Sequence, residues 1–143
     1  MNLNKENPVV GKLFQNMSAK LLTKYYNKEF MPEVAINIGN PPKSRNFDLV
    51  SKDNSVVVEC KCYSWTQSNN NPSAKMATLN EAVLYFTLLD GAYEKVIVMK
   101  KSIHPTRNET LAEYYLRTYR FVLQGITLLE IDVDTQTINV IKE

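Results

Sequence analysis

Two largely apolar segments separated by a polar turn, residues 47–50 and 56–63, set the strongest limit on the fold of this sequence. The residues between them, SKDN, are of the types that favour a tight turn. Because β-branched and aromatic residues are enriched in strands, the whole stretch is predicted to form a β-hairpin. A hairpin at this position makes a β-sheet the framework of the protein.

The second strand of this hairpin, VVVECKCY, carries charged residues inside an apolar run. Successive side chains of a strand point to opposite faces of the sheet, so Glu59 and Lys61 are predicted to share one face. Asp48 lies in the preceding strand, and a short hairpin is predicted to bring its carboxylate beside that of Glu59. Two acids and one base would then occupy one small volume.

Periodicity along the rest of the chain predicts helices on the faces of that sheet. Apolar residues recur at three- and four-residue steps over residues 12–28, which is the pattern of an amphipathic helix. The other predicted elements are a strand at 33–38, a buried helix at 74–90 between a Ser73 cap and Gly91, a strand at 95–99, a helix from an Asn108 cap to 123, and a hairpin of strands 126–132 and 137–141. This order predicts a single α/β domain in which helices flank a mixed central sheet.

Composition and charge limit the classes of function. With 143 residues, of which 44% are hydrophobic and 22% charged, the chain has the size and content of one folded domain. The net charge of +2 neither indicates nor excludes a nucleic-acid partner. No stretch approaches the roughly 20 apolar residues of a membrane span, and the first residues, MNLNKENPVV, do not resemble a signal peptide. We therefore expect a cytoplasmic protein without a membrane partner.

The two cysteines, Cys60 and Cys62, are predicted to be reduced and buried on the face opposite Glu59. Strand neighbours two residues apart point the same way but are poorly placed to form a disulfide with each other. A zinc site would need further ligands, and His104 is the only histidine of the sequence. We expect His104 to lie at the surface or to cap a turn.

The acid and base residues of the hairpin suit metal-dependent chemistry. Two carboxylates are hard oxygen ligands for a magnesium ion, with manganese as a substitute, so Asp48 and Glu59 are the predicted metal ligands. A lysine beside such an ion can orient or help deprotonate an attacking water, and it can stabilise charge on a phosphate in the transition state. The alternative is a half-exposed hairpin in which Glu59 and Lys61 merely pair with neighbouring charges.

The segment NFDLVSKDNSVVVECKCYSW resembles the PD-(D/E)xK nuclease superfamily, whose members have the restriction-endonuclease-like fold. That family places an Asp on one strand and an E-x-K tripeptide on the next, inside an αβββαβ core to which residues 12–99 are similar. A further helix and β-hairpin follow this core here. The resemblance implies that Asp48 and Glu59 are the two acids and Lys61 the catalytic lysine of a DNA endonuclease of restriction, junction-resolving or repair type.

The sequence departs from the family pattern at two places. Asn46 and Phe47 stand where some members have a proline before the first acid. Gln15, in the GKLFQ stretch of the first predicted helix, replaces the glutamate of many members, which affects the strength and number of bound ions. The alternative for Gln15 is a solvated helix residue without a role in the site.

Two further residues, Gln67 and Lys75, are predicted accessory residues because both follow the strand that bears Glu59 and Lys61. They lie in or just after the polar loop WTQSNNNP, residues 65–72. Amide and aromatic side chains of this loop suit base edges and stacking. They suit equally well an ordinary exposed turn anchored by Trp65.

Three hypotheses of function follow from these patterns. The first is a metal-dependent DNA endonuclease, which at this size we expect to act as a homodimer or with a partner subunit. The second is a non-cleaving nucleic-acid-binding module or subunit of the same fold. The third, a redox or metal-storage protein that uses the cysteines, is disfavoured because strand alternation turns both thiols away from Glu59 and Lys61.

Overall fold

The computed structural model describes residues 8–66 and 72–143, and this part of the chain forms three α-helices and six β-strands. In chain order the elements are α1 (Pro8–Tyr26), β1 (Phe30–Ile38), β2 (Lys43–Ser51), β3 (Val56–Lys61), α2 (Ser73–Thr87), β4 (Glu94–Lys100), α3 (Leu111–Tyr119), β5 (Ile126–Asp132) and β6 (Thr137–Lys142). A short 3-10 turn, Arg120–Val122, follows α3. The predicted order of helices and strands is confirmed.

The strands of the described chain form one mixed sheet in the order β1-β2-β3-β4-β5-β6. The β1–β2, β2–β3 and β5–β6 pairs are antiparallel, whereas β3–β4 and β4–β5 are parallel. Parallel pairs need long crossovers, and α2 and α3 provide them. The central parallel strands are covered on both faces, which explains the unbroken apolar run from Val96 to Met99.

Helices cover the two faces of the sheet. Helix α1 packs on one face through Phe14 and Leu22. Helices α2 and α3 pack on the opposite face, where Phe86 stacks on Phe47 with 6.1 Å between ring centroids and Tyr115 is fully buried. The protein is therefore an α/β fold with a mixed sheet flanked by helices, as predicted. Within the described ranges, no helix combines the length and apolar character needed to cross a membrane.

The predicted boundaries of α2 are wrong at both ends. Ser73 is the first residue of the helix, and Pro72 occupies the cap position without a side-chain hydrogen bond. The helix ends at Thr87 because the chain then turns to bury Leu89. Gly91, which was predicted to end the helix, lies beyond it with a φ of 102° and serves the turn toward β4.

The bounds of α1 and α3 also differ from the prediction. Helix α1 spans Pro8–Tyr26 in the described chain, and proline is tolerated in the first turn of a helix. Helix α3 is capped by Thr110 and not by Asn108. The Thr110 hydroxyl accepts the Glu113 N–H at 3.2 Å and the Glu113 carboxylate accepts the Thr110 N–H at 2.9 Å, which is a complete capping box.

Candidate active site

The turn between β2 and β3 is held by its own side chains. One carboxylate oxygen of Asp53 accepts hydrogen bonds from the Ser51 and Ser55 hydroxyls at 2.7 and 2.6 Å. The other oxygen pairs with the Lys28 ammonium group at 2.5 Å. These contacts fix the start of the hairpin, and therefore the register in which the two strands leave it.

Asp48 lies where the backbone pairing of β2 with β3 ends. In the described chain this ladder comprises two residue pairs, the nearer of which joins Leu49 to Val58. The Oδ2 atom of Asp48 accepts a hydrogen bond from the Cys60 backbone N–H at 2.8 Å. A side-chain carboxylate thus takes the place of a main-chain acceptor, and this bond directs Asp48 toward β3.

Glu59 is buried beside that carboxylate. It retains only 2% of its surface exposure, and its carboxyl group lies within hydrogen-bonding reach of Asp48. Its Oε1 atom accepts a hydrogen bond from the Arg45 guanidinium at 2.5 Å. The structure therefore brings Asp48 and Glu59 together. Glu59 does pair with a neighbouring charge, that of Arg45, but it does so as a buried residue and not on a half-exposed hairpin.

The surroundings of Glu59 strongly raise the pKa of its carboxyl group. Burial, followed by the hydrogen bond and the charge repulsion of Asp48, raises the pKa of Glu59 from 4.5 to about 8. Attraction by Arg45 and Lys61 opposes this rise and is smaller. Near neutral pH the Glu59 carboxyl group consequently keeps its proton for most of the time.

Lys61 is two residues beyond Glu59 on the same strand face. It is partly exposed, and it is close enough to Glu59 to lower the pKa of that carboxyl group. Among the described residues, no carboxylate lies within 4.0 Å of its ammonium group. The Lys61 charge is therefore available to a bound molecule.

Arg45 completes the site and was missed by the sequence analysis. Its guanidinium lies 4.0 Å from the Tyr85 ring centroid of α2 and 4.9 Å from the Phe47 ring centroid. These two rings and Glu59 hold the arginine in one orientation. Strand alternation was the available signal, because Arg45 shares the face of Phe47, which is buried under α2.

Gln15 is buried and not solvated, which removes the alternative of a surface helix residue. It keeps 7% of its exposure, and its Nε2 atom has no hydrogen-bond partner among the described residues. Gln15 lies about 4.5 Å before Ser18 along the axis of α1. Because Ser18 hydrogen-bonds the Cys60 thiol, this part of α1 faces β3. An unpaired buried amide is costly, so it marks a position where a polar partner would be stabilising.

The cysteines lie on the α1 side of the sheet. Cys60 and Cys62 are not joined in a disulfide, are partly buried, and both pack against the cluster formed with α1. Burial, more than any neighbouring charge, raises the pKa of the Cys60 thiol well above its ordinary value. The predicted reduced state and opposite orientation from Glu59 are confirmed, although the thiols are less buried than expected.

Lys75 lies in the first turn of α2, on the far side of the segment that follows β3. Its ammonium group donates to the backbone carbonyl of Ser64. Lys100, at the end of β4, donates to the Ser64 hydroxyl at 2.5 Å. Burial, and then the charge of Lys100, lower the pKa of Lys75. Gln67, the other predicted accessory residue, lies outside the described residues.

Trp65 anchors the same segment and does not offer a stacking surface. It is only 8% exposed, and its ring packs edge-on against His104 and Tyr114 at 4.7 and 5.1 Å between centroids. His104 Nδ1 accepts the backbone N–H groups of Thr106 and Arg107, each at 3.1 Å. Of the two predicted alternatives, a surface residue or a turn cap, the structure shows the turn cap.

The oxygen donors at the site are the carboxylates of Asp48 and Glu59. Within residues 8–66 and 72–143, no group of three or more His, Cys, Asp and Glu side chains is arranged to hold a metal ion. The two carboxylates of Asp48 and Glu59 can share an ion that keeps most of its water ligands, which is how magnesium is commonly bound. Gln15, on α1, makes no contact with Asp48 or Glu59 among the described hydrogen bonds, and its unpaired amide is a separate feature of the α1 side of the sheet.

Comparison with known proteins identifies no relative: no family model, curated protein or solved structure matches this chain. The functional inference therefore depends on the geometry of the site and on the sequence pattern of the hairpin.

Proposed function

We propose that this chain is a magnesium-dependent endonuclease that hydrolyses phosphodiester bonds in DNA. The observation that carries the proposal is the meeting of the Asp48 and Glu59 carboxyl groups at the end of the β2–β3 ladder, with Lys61 on the same face. The order αβββαβ and the similarity of the hairpin to the PD-(D/E)xK pattern support a restriction-endonuclease-like fold.

Each residue has a distinct role in this proposal. Asp48 and Glu59 would hold Mg²⁺, or Mn²⁺ as a substitute, and such an ion would neutralise phosphate charge and lower the pKa of a water ligand. Glu59 must lose its proton before it can act as a ligand, so metal binding releases a proton. Lys61 orients the attacking water and stabilises charge on the phosphate oxygens.

Arg45 has a positioning role. It lies between Glu59 and the rings of Tyr85 and Phe47, and it fixes the orientation of the Glu59 carboxyl group before any ligand arrives. Its positive charge also opposes a second cation at that oxygen. A single-ion site agrees with this arrangement better than a two-ion site does.

A cleavage assay with a matched pair of variants tests the proposal. Purified protein is incubated with supercoiled, linear duplex, branched and single-stranded DNA, each with Mg²⁺ and with EDTA. We expect Mg²⁺-dependent cleavage that Asp48→Asn abolishes and that Asp90→Asn, at an exposed position, leaves unchanged. Absence of Mg²⁺-dependent cleavage on every DNA form by the folded parent protein contradicts the proposal.

One observation favours a second candidate function, a nucleic-acid-binding module that does not cleave. Glu59, one of the two proposed metal ligands, is already paired with the Arg45 guanidinium at 2.5 Å. In such a module this pair would persist and exclude the ion. Calorimetric titration with Mg²⁺ separates the candidates, because the nuclease binds the ion through Asp48 and Glu59 whereas the module does not.

We further propose that the active particle is a homodimer or contains a partner subunit. One active site cleaves one strand in one binding event, so cleavage of both strands of a duplex needs a second active site or a second binding event. The proposal concerns duplex substrates only, and a single-stranded or flap substrate would not require it.

A further inference from the structure

Two lysines meet at Ser64 without a balancing negative charge. Lys75 approaches the Ser64 carbonyl from α2, and Lys100 approaches the Ser64 hydroxyl from the end of β4. In the described chain, no carboxylate lies within 4.0 Å of either ammonium group. The neighbouring Lys101, in contrast, is paired with Asp132 at 3.9 Å.

The start of α2 adds to this positive potential. Pro72 provides no side-chain cap, and the first turn contains no acidic residue. The partial positive charge of a helix N-terminus favours anions, so Lys75 is placed where a cation is disfavoured. Repulsion by Lys100 lowers the pKa of Lys75 in addition to burial. An anion bound between the lysines would offset the positive end of the helix, the repulsion between the two ammonium groups and the burial of the Lys75 charge.

The position of Ser64 is fixed relative to the carboxylate pair. It follows Lys61 by three residues, so the two residues are at most roughly 10 Å apart along the chain. The Trp65 backbone N–H donates to the Ser102 hydroxyl at 2.9 Å, which ties this segment to the chain after β4. Lys61, Ser64 and the two lysines therefore lie along one edge of the sheet.

We infer that Lys75, Lys100 and the Ser64 hydroxyl form a second phosphate-binding subsite, which holds a backbone phosphate of the same DNA strand next to the one that is cleaved. This inference rests on the proposed nuclease function for its substrate. The subsite would position the strand by charge and would not read its sequence. It would act before metal binding, because none of its residues is a metal ligand.

Binding in EDTA tests the subsite separately from cleavage. Fluorescence anisotropy with labelled single-stranded and duplex deoxyoligonucleotides, at several salt concentrations, is measured for the parent and for Lys75→Gln/Lys100→Gln. We expect the double variant to bind at least about tenfold more weakly, since each charged hydrogen bond is commonly worth that much. The slope of log affinity against log salt should fall by about 0.7–0.9, the value of one phosphate contact.

Two control variants make the result specific. Lys101→Gln removes a charge from the same edge but from an existing ion pair, and it should bind like the parent protein. Lys75→Arg/Lys100→Arg should retain the affinity and the salt slope, which excludes misfolding as the cause. An unchanged affinity and slope in the glutamine variant, or a parent protein that binds neither oligonucleotide, overturns the subsite.

The outcomes also separate the subsite from the nuclease proposal. Oligonucleotide binding that depends on both lysines, without Mg²⁺-dependent cleavage by the parent, supports the subsite and contradicts the nuclease. Cleavage by the parent with normal binding by the glutamine variant supports the nuclease and contradicts the subsite.

Discussion

Glu59 lies in an environment that opposes its ionisation. Burial and the neighbouring Asp48 favour its protonated form, whereas Arg45 and Lys61 favour the carboxylate, and the net result is a pKa of about 8. A structural carboxylate in a simple ion pair would have its pKa lowered. A raised pKa beside a second acid is instead common at functional sites. The cost of burying two acids together persists there because binding or catalysis requires both groups.

The raised pKa predicts how stability depends on pH. Between 4.5 and about 8 the unfolded chain has lost the Glu59 proton and the folded chain keeps it, so folding takes up a proton and stability falls as pH rises. Glu59→Gln removes this loss. Relative to the parent, the variant should gain on the order of 3 kcal/mol in free energy of unfolding between pH 5 and pH 8.

Urea unfolding at both pH values, in EDTA, measures this change. Glu29→Gln is the matched control, because the Glu29 side chain is 71% exposed. Its difference from the parent should be the same at both pH values. If the free energy of unfolding of Glu59→Gln also differs from that of the parent by the same amount at both pH values, Glu59 is ionised in the folded protein and its pKa is not raised.

Replacement of Lys61 tests the chemistry at the residue scale. Lys61→Ala should reduce the DNA cleavage rate by about a hundredfold or more, because it removes one preorganised charge from the transition state. Mg²⁺ and DNA affinities should remain largely unchanged, since Asp48 and Glu59 hold the ion. Rates from single-turnover cleavage and affinities from calorimetry and anisotropy measure the two effects.

The exposed Lys52 provides the control for Lys61. Its side chain is 71% exposed and pairs with Glu29, so Lys52→Ala should cleave at the parent rate. Equal cleavage rates for Lys61→Ala and the parent would remove Lys61 from the mechanism.

At the scale of the elements, α3 shows what sequence patterns can locate. The Thr110-Leu-Ala-Glu113 sequence is the capping-box pattern, so the true start of the helix was present in the sequence. Asn108, two residues earlier, was predicted as the cap because asparagine is also a preferred cap residue. The reciprocal bonds of Thr110 and Glu113 decided between the two.

The capping box predicts a difference in stability between two alanine variants. Thr110→Ala should lower the free energy of unfolding by about 1 kcal/mol, because it leaves the Glu113 N–H without its acceptor. Asn108→Ala, at an exposed position, should change it by less than about 0.5 kcal/mol. Thermal or urea unfolding of both variants measures the difference, and equal losses would contradict the assignment of the cap.

The hairpin and the carboxylate pair were predictable because they depend on local rules. Strand alternation and a short turn determine which side chains share a face, and Asp48, Glu59 and Lys61 follow from those rules alone. Arg45 was missed although it lies on the same hairpin, because alternation gives its strand face but not the residue of β3 with which it pairs. Lys100 was not found because its partner, Ser64, is reached through tertiary packing. The burial of Gln15 was equally hidden, since an amphipathic pattern does not show how deeply a polar residue at its border will lie.

At the scale of the whole molecule, the proposed dimer or partner complex can be tested in solution. Sedimentation velocity over a range of concentrations should show a species of twice the chain mass of 16.4 kDa, either alone or on addition of duplex DNA. A strict monomer that cuts both strands of a duplex at equal rates would rule out the homodimer.

Because the ladder between β2 and β3 is short, the sheet should open locally more easily at this junction than between its parallel strands. The β1–β2 hairpin is joined to the parallel strands by few backbone hydrogen bonds, and the Cys60 amide is held by the Asp48 carboxylate instead. Backbone amides around this junction should therefore exchange with deuterium before those of β4. The Cys60 amide proton becomes a spectroscopic reporter, because any ligand or proton that Asp48 acquires must alter the bond on which its protection depends.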